Sequence, residues 1–187
     1  MALAININDL LNKQKIESNR IEFKKGWNPD KIYRTICAFA NDFDNIGGGY
    51  IVVGIEEEER TGIAKRPVTG VPIEALNDIQ KDMVGYNNKI EPYYMPRIDV
   101  QEVDGKSVLV IWAPAGVNRP YNVRERVTAK QSPSKWYIRS GTSTIEAKGE
   151  VLDELREMAN RTPFDERGNE RIEISDISPA LVLDYLQ

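Results

Sequence analysis

The chain contains no histidine and a single cysteine, Cys37, among its 187 residues. The missing histidine removes Ser-His-Asp and Cys-His catalysis and histidine-ligated zinc. One thiol excludes an internal disulfide and a thiolate zinc site, and it fits a reducing, cytoplasmic setting. Cys37 lies among apolar neighbours at helical spacing, so a buried structural thiol is expected there rather than a nucleophile. No apolar run approaches the roughly 20 residues that cross a bilayer, so no membrane partner is expected. The opening MALAININDLLNK lacks the basic region and apolar stretch of a signal peptide. A strong positive charge is also missing, the net charge being −4. The acidic excess sits at the C-terminal end, however, where residues 150–187 carry ten acids against four arginines. The remainder is slightly basic, which leaves room for local patches that hold a polyanion. Any chemistry must use carboxylates, lysine, tyrosine, serine or a metal held by oxygen.

What is present reads as alternating helices and strands. Asn8 caps a short helix over 9–13. Arg20–Phe23 reads as a short strand. Asn28-Pro29 opens a helix to about Phe43, with Ile32, Ile36, Phe39 and Ala40 at the 3.6-residue period. Gly47–Gly49 form a turn, and Tyr50–Ile55 is an apolar strand expected at the centre of a sheet. Pro72 starts a second helix to about Tyr86. Arg97–Val103 and Ser107–Trp112 flank Asp104-Gly105, a type I′ hairpin signal. Tyr121–Val123 and Trp136–Arg139 look like another strand pair, and a helix follows over about 147–159. Tyr93, Tyr94 and Met95, between two prolines, are expected to cover the core. From Arg161 the polar run TPFDERGNER suggests a domain edge. Ser178-Pro179 then starts a helix cut at Gln187, the pattern either of a piece of a longer chain or of a short docking helix. The expected division is a domain over 1–160 and a linker with the start of a further region over 161–187.

Two constellations carry chemistry. Glu17 and Glu22 stand five residues apart with Lys24 beyond, and Gly47–Gly49 feed a strand that ends in Glu56–Glu59. Carboxylates that converge repel one another, and a divalent cation with hard oxygen ligands relieves the repulsion. The competing reading is a solvated face on which Lys24 pairs with one of the acids. The glycine run is no phosphate loop, because such a loop follows a strand, precedes a helix and carries a lysine. The second constellation is the stretch 124–139, where Arg124, Arg126, Lys130, Lys135 and Arg139 face one acid, Glu125, with Trp136 and Tyr137 alongside. Cations with adjacent aromatics suit a phosphate backbone. A basic hairpin tip that keeps an edge soluble is the alternative, as is a structural role for Arg139 opposite the acids.

Glu17-x4-Glu22-Phe-Lys24, CAFAND, GGGYIVVGI, the hairpin and WYIRSGTSTIEA together resemble the Schlafen-type AlbA domain over roughly residues 10–150. Pro163–Glu166 match a PFDE segment that often follows the domain in that family. The resemblance implies an α+β fold with a mixed sheet packed against helices. It also implies a DNA- or RNA-binding domain of a bacterial transcriptional regulator. On that reading Lys24, Arg124, Arg126, Lys130, Lys135 and Arg139 contact the nucleic acid. Family nucleases imply an alternative: a Mg²⁺- or Mn²⁺-dependent endoribonuclease in which Glu17, Glu22 and Glu56 hold the metal and Lys24 assists, with Glu57 in place of Glu56 if the register slips by one. The third acid of the family pattern is commonly aspartate, and NDFDNIGGG is longer than its compact form. Paired lobes in Schlafen cores imply a homodimer for a chain with one lobe.

Overall fold

The protein's structure is a computed structural model, which describes residues 19–58 and 61–159 together with Ile7 and Leu11. The helix expected over 9–13, Glu17, the segment from Arg161 and the Ser178-Pro179 helix lie outside the described residues, Leu11 apart.

Local chemistry sets the first elements. Strand β1 (Ile21–Lys24) alternates buried and half-buried residues. After a short turn, the Asn28 side chain accepts the Lys31 amide at 3.1 Å and Pro29 fills the first helical position. Helix α1 (Pro29–Asn41) follows and ends where Asp42 turns left-handed, at φ 44°. The Asp42 carboxylate then accepts the amides of Ile46, Gly47 and Gly48, each at 3.0 Å. Arg119 donates to the carbonyls of Asn41 and Asp42, at 3.2 and 3.1 Å, where the helix leaves its last acceptors unfilled. The glycine-rich turn therefore folds on the end of α1. It delivers the chain into β2 (Gly49–Val53).

The remaining elements are α2 (Ile73–Asn87), β3 (Ile90–Glu91), β4 (Arg97–Val103), β5 (Lys106–Ala113), β6 (Asn122–Arg124), β7 (Ser134–Ser140), β8 (Ser143–Glu146) and α3 (Glu150–Met158). Asp104 and Gly105 both take left-handed backbone between β4 and β5, as a type I′ turn requires. The expected α+β class is what the structure shows, but the sheet is divided in two. One four-stranded sheet runs β1-β2-β5-β4, with β1 parallel to β2 and the other neighbours antiparallel. The second runs β3-β6-β7-β8, all antiparallel.

Helix α1 is sandwiched between the two sheets. Its Ile36 and Phe39 share one core with Ile51, Val53, Leu109 and Ile111 of the first sheet and Val123 and Tyr137 of the second. The far face of the first sheet, through Ile21, Phe23, Val52 and Val110, packs with Ile7 and Leu11. Helix α3 packs Leu155 against Ile138 on the outer side of the second sheet. Buried Asn41 joins helix to sheet, because its amide nitrogen donates to the carbonyls of Tyr121 (2.9 Å) and Tyr137 (2.8 Å) and its oxygen accepts the Tyr121 amide at 2.7 Å. Cys37 is buried as expected, and burial pushes its thiol up to about 12. Of the Tyr93–Met95 segment only Tyr94 covers the core, donating its hydroxyl to the Pro114 carbonyl at 2.6 Å. Tyr93 and Met95 are exposed.

Candidate functional site

The sandwich leaves a cleft where β1, α1 and the β7–β8 turn meet. Each wall follows from a local periodicity. In β1, Ile21 and Phe23 point to the far core, so Glu22 and Lys24 point the opposite way, toward α1. On α1, Lys31, Arg34 and Thr35 stand three and four residues apart and share one helical face. On β7, Tyr137 and Arg139 lie on the side that meets α1. The hairpin to β8 then brings Thr144 opposite Arg139 and Ser143 opposite Ser140. The cleft encloses about 360 Å³ and is lined by Glu22, Lys24, Lys31, Arg34, Tyr137 and the hydroxyl groups of Thr35, Thr142, Ser143 and Thr144.

Buried Arg139 ties together three residues of this lining. With 6% of the side chain exposed, it donates to Glu22 Oε2 at 2.8 Å. It also donates to Thr144 Oγ1 at 3.0 Å and the Thr142 carbonyl at 2.7 Å. Its guanidinium lies 5.1 Å from the Phe39 ring. The other oxygen of Glu22 pairs with Lys24. Thr35 and Thr144 join hydroxyls across the cleft at 3.1 Å. The Glu22 charge is thus already matched by two cations. Lys31 and Arg34 have no acid partner among the described residues, although Arg34 Nε donates to the Asp30 carbonyl at 3.1 Å. The lining therefore carries a positive excess, next to several hydroxyl groups that can donate to an oxyanion.

The acids expected at the site divide. Glu22 stands in the cleft. Glu17 lies outside the described residues. Glu56 is not brought to Glu22: Lys25 holds it at 3.1 Å and Lys65 at 3.0 Å, and these lysines keep its carboxyl below the ordinary carboxylate range. Glu57 is the acid whose charge meets the site. The packing around its carboxyl, then the negative charge of Glu22, push it above the ordinary range, against the opposing pull of Lys24 and Arg139. Among the described residues no three acids stand close enough to share a metal ion. Both oxygens of Glu22 face cations, so the described donors alone do not form a divalent cage.

The basic stretch also divides. Arg139 is buried and structural, not a rim contact. Lys135 is held by Glu125 at 2.7 Å and Glu146 at 3.3 Å. Arg124 donates to the Lys130 carbonyl at 3.1 Å. Arg126 and Lys130 are exposed and have no acid partner among the described residues. The loop that carries them is docked, because Thr128 donates its amide and hydroxyl to the Asp30 carboxylate at 3.0 and 3.1 Å, next to Lys31 on α1. Lys31, Arg34 and the hydroxyl-bearing turn were missed by sequence reasoning. The available signals were two cations three apart on an amphipathic helix and SGTST directly after Arg139.

The family described as Schlafen, AlbA_2 matches residues 17–148 through its family model. Among solved structures the chain is similar to the N-terminal domain of a protein from Nitrosomonas europaea named as related to the ATP-dependent DNA helicase RecG. The two are 26% identical with a TM-score of 0.52, over 74% of this chain and 91% of that one. It is also similar to the DIP2311 protein from Corynebacterium diphtheriae, at 19% identity and a TM-score of 0.48, over 95% of this chain and 33% of that one. Among curated proteins nothing matches.

Proposed function

Because the chain belongs to the Schlafen, AlbA_2 family, we propose that it is a nucleic-acid-binding module that seats the phosphates of a DNA or RNA strand in the cleft between β1, α1 and the β7–β8 turn. The observation that carries this reading is the pair Lys31 and Arg34. They share one face of a capped helix, have no acid partner among the described residues and are surrounded by hydroxyl groups. Oriented cations on a rigid element are what a phosphate backbone requires. Arg126 and Lys130 extend the basic surface along the docked loop, with Arg124 at its base. The likeness to a domain of a protein named for a DNA helicase supports the same reading. In a longer chain such a module would deliver a transcriptional regulator to its target. Binding is favoured over metal-dependent cleavage because Glu22, one of the three acids that cleavage would use, is paired with Lys24 and Arg139.

The test is charge reversal at Lys31 and Arg34 together, read by fluorescence anisotropy with labelled single-stranded and duplex oligonucleotides over a salt series. Two lost phosphate contacts should flatten the log–log salt slope by about 1.4 for single strands and about 1.8 for duplex. Affinity at low salt should fall by at least about tenfold. An unchanged slope and affinity would remove the cleft from the interface.

A further inference from the structure

Lys24 differs from the other cations of the cleft. Among the described residues, Lys31 and Arg34 are unmatched by any acid, whereas Lys24 is paired with Glu22, the one described carboxylate lining the cleft. The pair is half-sheltered, with 24% of the Lys24 side chain and 18% of the Glu22 side chain exposed. Glu22 cannot easily swing away, because buried Arg139 holds its second oxygen and is itself held by Thr142 and Thr144. A carboxylate and a phosphate oxygen ask the same thing of an ammonium group. Glu22 therefore stands, tethered and pre-oriented, as an anion already bound.

Resting on the nucleic-acid reading, we infer that Glu22 is the specificity-determining residue of the cleft, an internal anion that withholds Lys24 from the ligand. A lone phosphate must compete with a tethered carboxylate and faces its repulsion. A strand grips Lys31 and Arg34 through adjacent phosphates and tolerates that repulsion. The cleft then favours polyanions over free phosphate.

The experiment compares Glu22→Gln, Lys24→Met, Lys31→Met and the double variant Glu22→Gln/Lys24→Met. The probes are a labelled oligo-dT, a labelled oligo-U and inorganic phosphate. The Glu22→Gln side chain keeps an oxygen for Arg139 but loses the charge. This variant should bind the oligonucleotides roughly three- to tenfold more tightly, with a salt slope steeper by about 0.7. It should also gain amide shifts at Thr35 and Ser143 when titrated with inorganic phosphate, which wild type lacks. The double variant should lose that gain, and Lys24→Met should lose less affinity than Lys31→Met. The last comparison does not require the Glu22→Gln protein to fold. Binding that Glu22→Gln leaves equal or weakens, or a Lys24→Met loss as large as that of Lys31→Met, overturns the inference. If no variant binds either oligonucleotide, the nucleic-acid reading fails by itself. Inorganic phosphate then still decides the role of Glu22, since equal responses from wild type and Glu22→Gln overturn it.

Discussion

Replacing Asn41 with alanine should destabilise the protein severely, because this one side chain joins the helix to the second sheet. Asn41 is fully buried, and its amide group makes three bonds to backbone, to Tyr121 N, Tyr121 O and Tyr137 O. Alanine can make none of them. The Tyr121 carbonyl keeps the Cys37 thiol as a weak donor at 3.3 Å, but the Tyr121 amide and the Tyr137 carbonyl lose their side-chain partner. At about 1–3 kcal/mol for each orphaned buried group, the expected loss is about 2–6 kcal/mol. A domain of this size holds on the order of 5–15 kcal/mol in total, so the variant should be partly unfolded or close to it. Asn41→Asp sharpens the test. It keeps an acceptor for the Tyr121 amide but turns a second oxygen toward two carbonyls, so the nearly isosteric change should also be badly destabilising. Urea unfolding followed by far-UV circular dichroism measures both. A loss below about 1 kcal/mol for Asn41→Ala would mean that the helix–sheet junction does not depend on this residue.

Two further outcomes follow from other elements. A Cβ at residue 49 would lie 2.3 Å from Phe39 Cε1 and 2.6 Å from the Arg20 carbonyl. Gly49→Ala should therefore cost about 1–3 kcal/mol through overpacking, and thermal unfolding within about 1 °C of wild type would contradict the close approach. The Arg66 guanidinium, together with the Val68 amide, holds Asp104 below the ordinary carboxylate range. A folded-state value below the unfolded value of about 3.9 adds stability above that unfolded value, and the gain is lost as pH falls through the folded value. Asp104→Asn tolerates the left-handed φ of 53°. Its deficit in urea midpoint at about pH 6 should shrink as pH falls through the folded-state value, and a constant deficit would refute the assignment.

The fold was legible where a residue's chemistry acts on its own neighbours. Asn28-Pro29 announced the start of α1, and Asp104-Gly105 announced the hairpin. Strands β3 and β8 were invisible, because Ile90–Glu91 is two residues long and Ser143–Glu146 is half polar. The split into two sheets depends on long-range pairing that no local pattern states. At the site, Glu22 and Lys24 pair on one face of β1, the contact that the solvated-face reading named. The third acid was not legible, and Gly54 shows why. The amides of Gly54 and Ile55 both bond to the Lys24 carbonyl, at 2.8 and 3.1 Å. With φ at 101° for Gly54, the alternation of β2 breaks there. Val53 packs in the helix-side core, and Ile55, two residues on, packs in the opposite one. Counting by twos past that point does not say whether Glu56 or Glu57 turns toward Glu22.

The cations show the same limit and its physical consequence. Lys135 was expected to contact a phosphate, yet it is paired with Glu125 and also with Glu146 on the strand that sequence did not reveal. Lys31 carried no reading in the sequence, yet it lines the cleft. Its chain neighbour Asp30 points to a different side of the helix. The Asp30 carboxylate is occupied by the amide and hydroxyl of Thr128 from the basic loop. This contact anchors the loop that carries Arg126 and Lys130 beside α1. The loop's basic residues are therefore held on the helix that carries Lys31 and Arg34, with the Asp30 carboxylate, hydrogen-bonded but still charged, standing between the two basic surfaces.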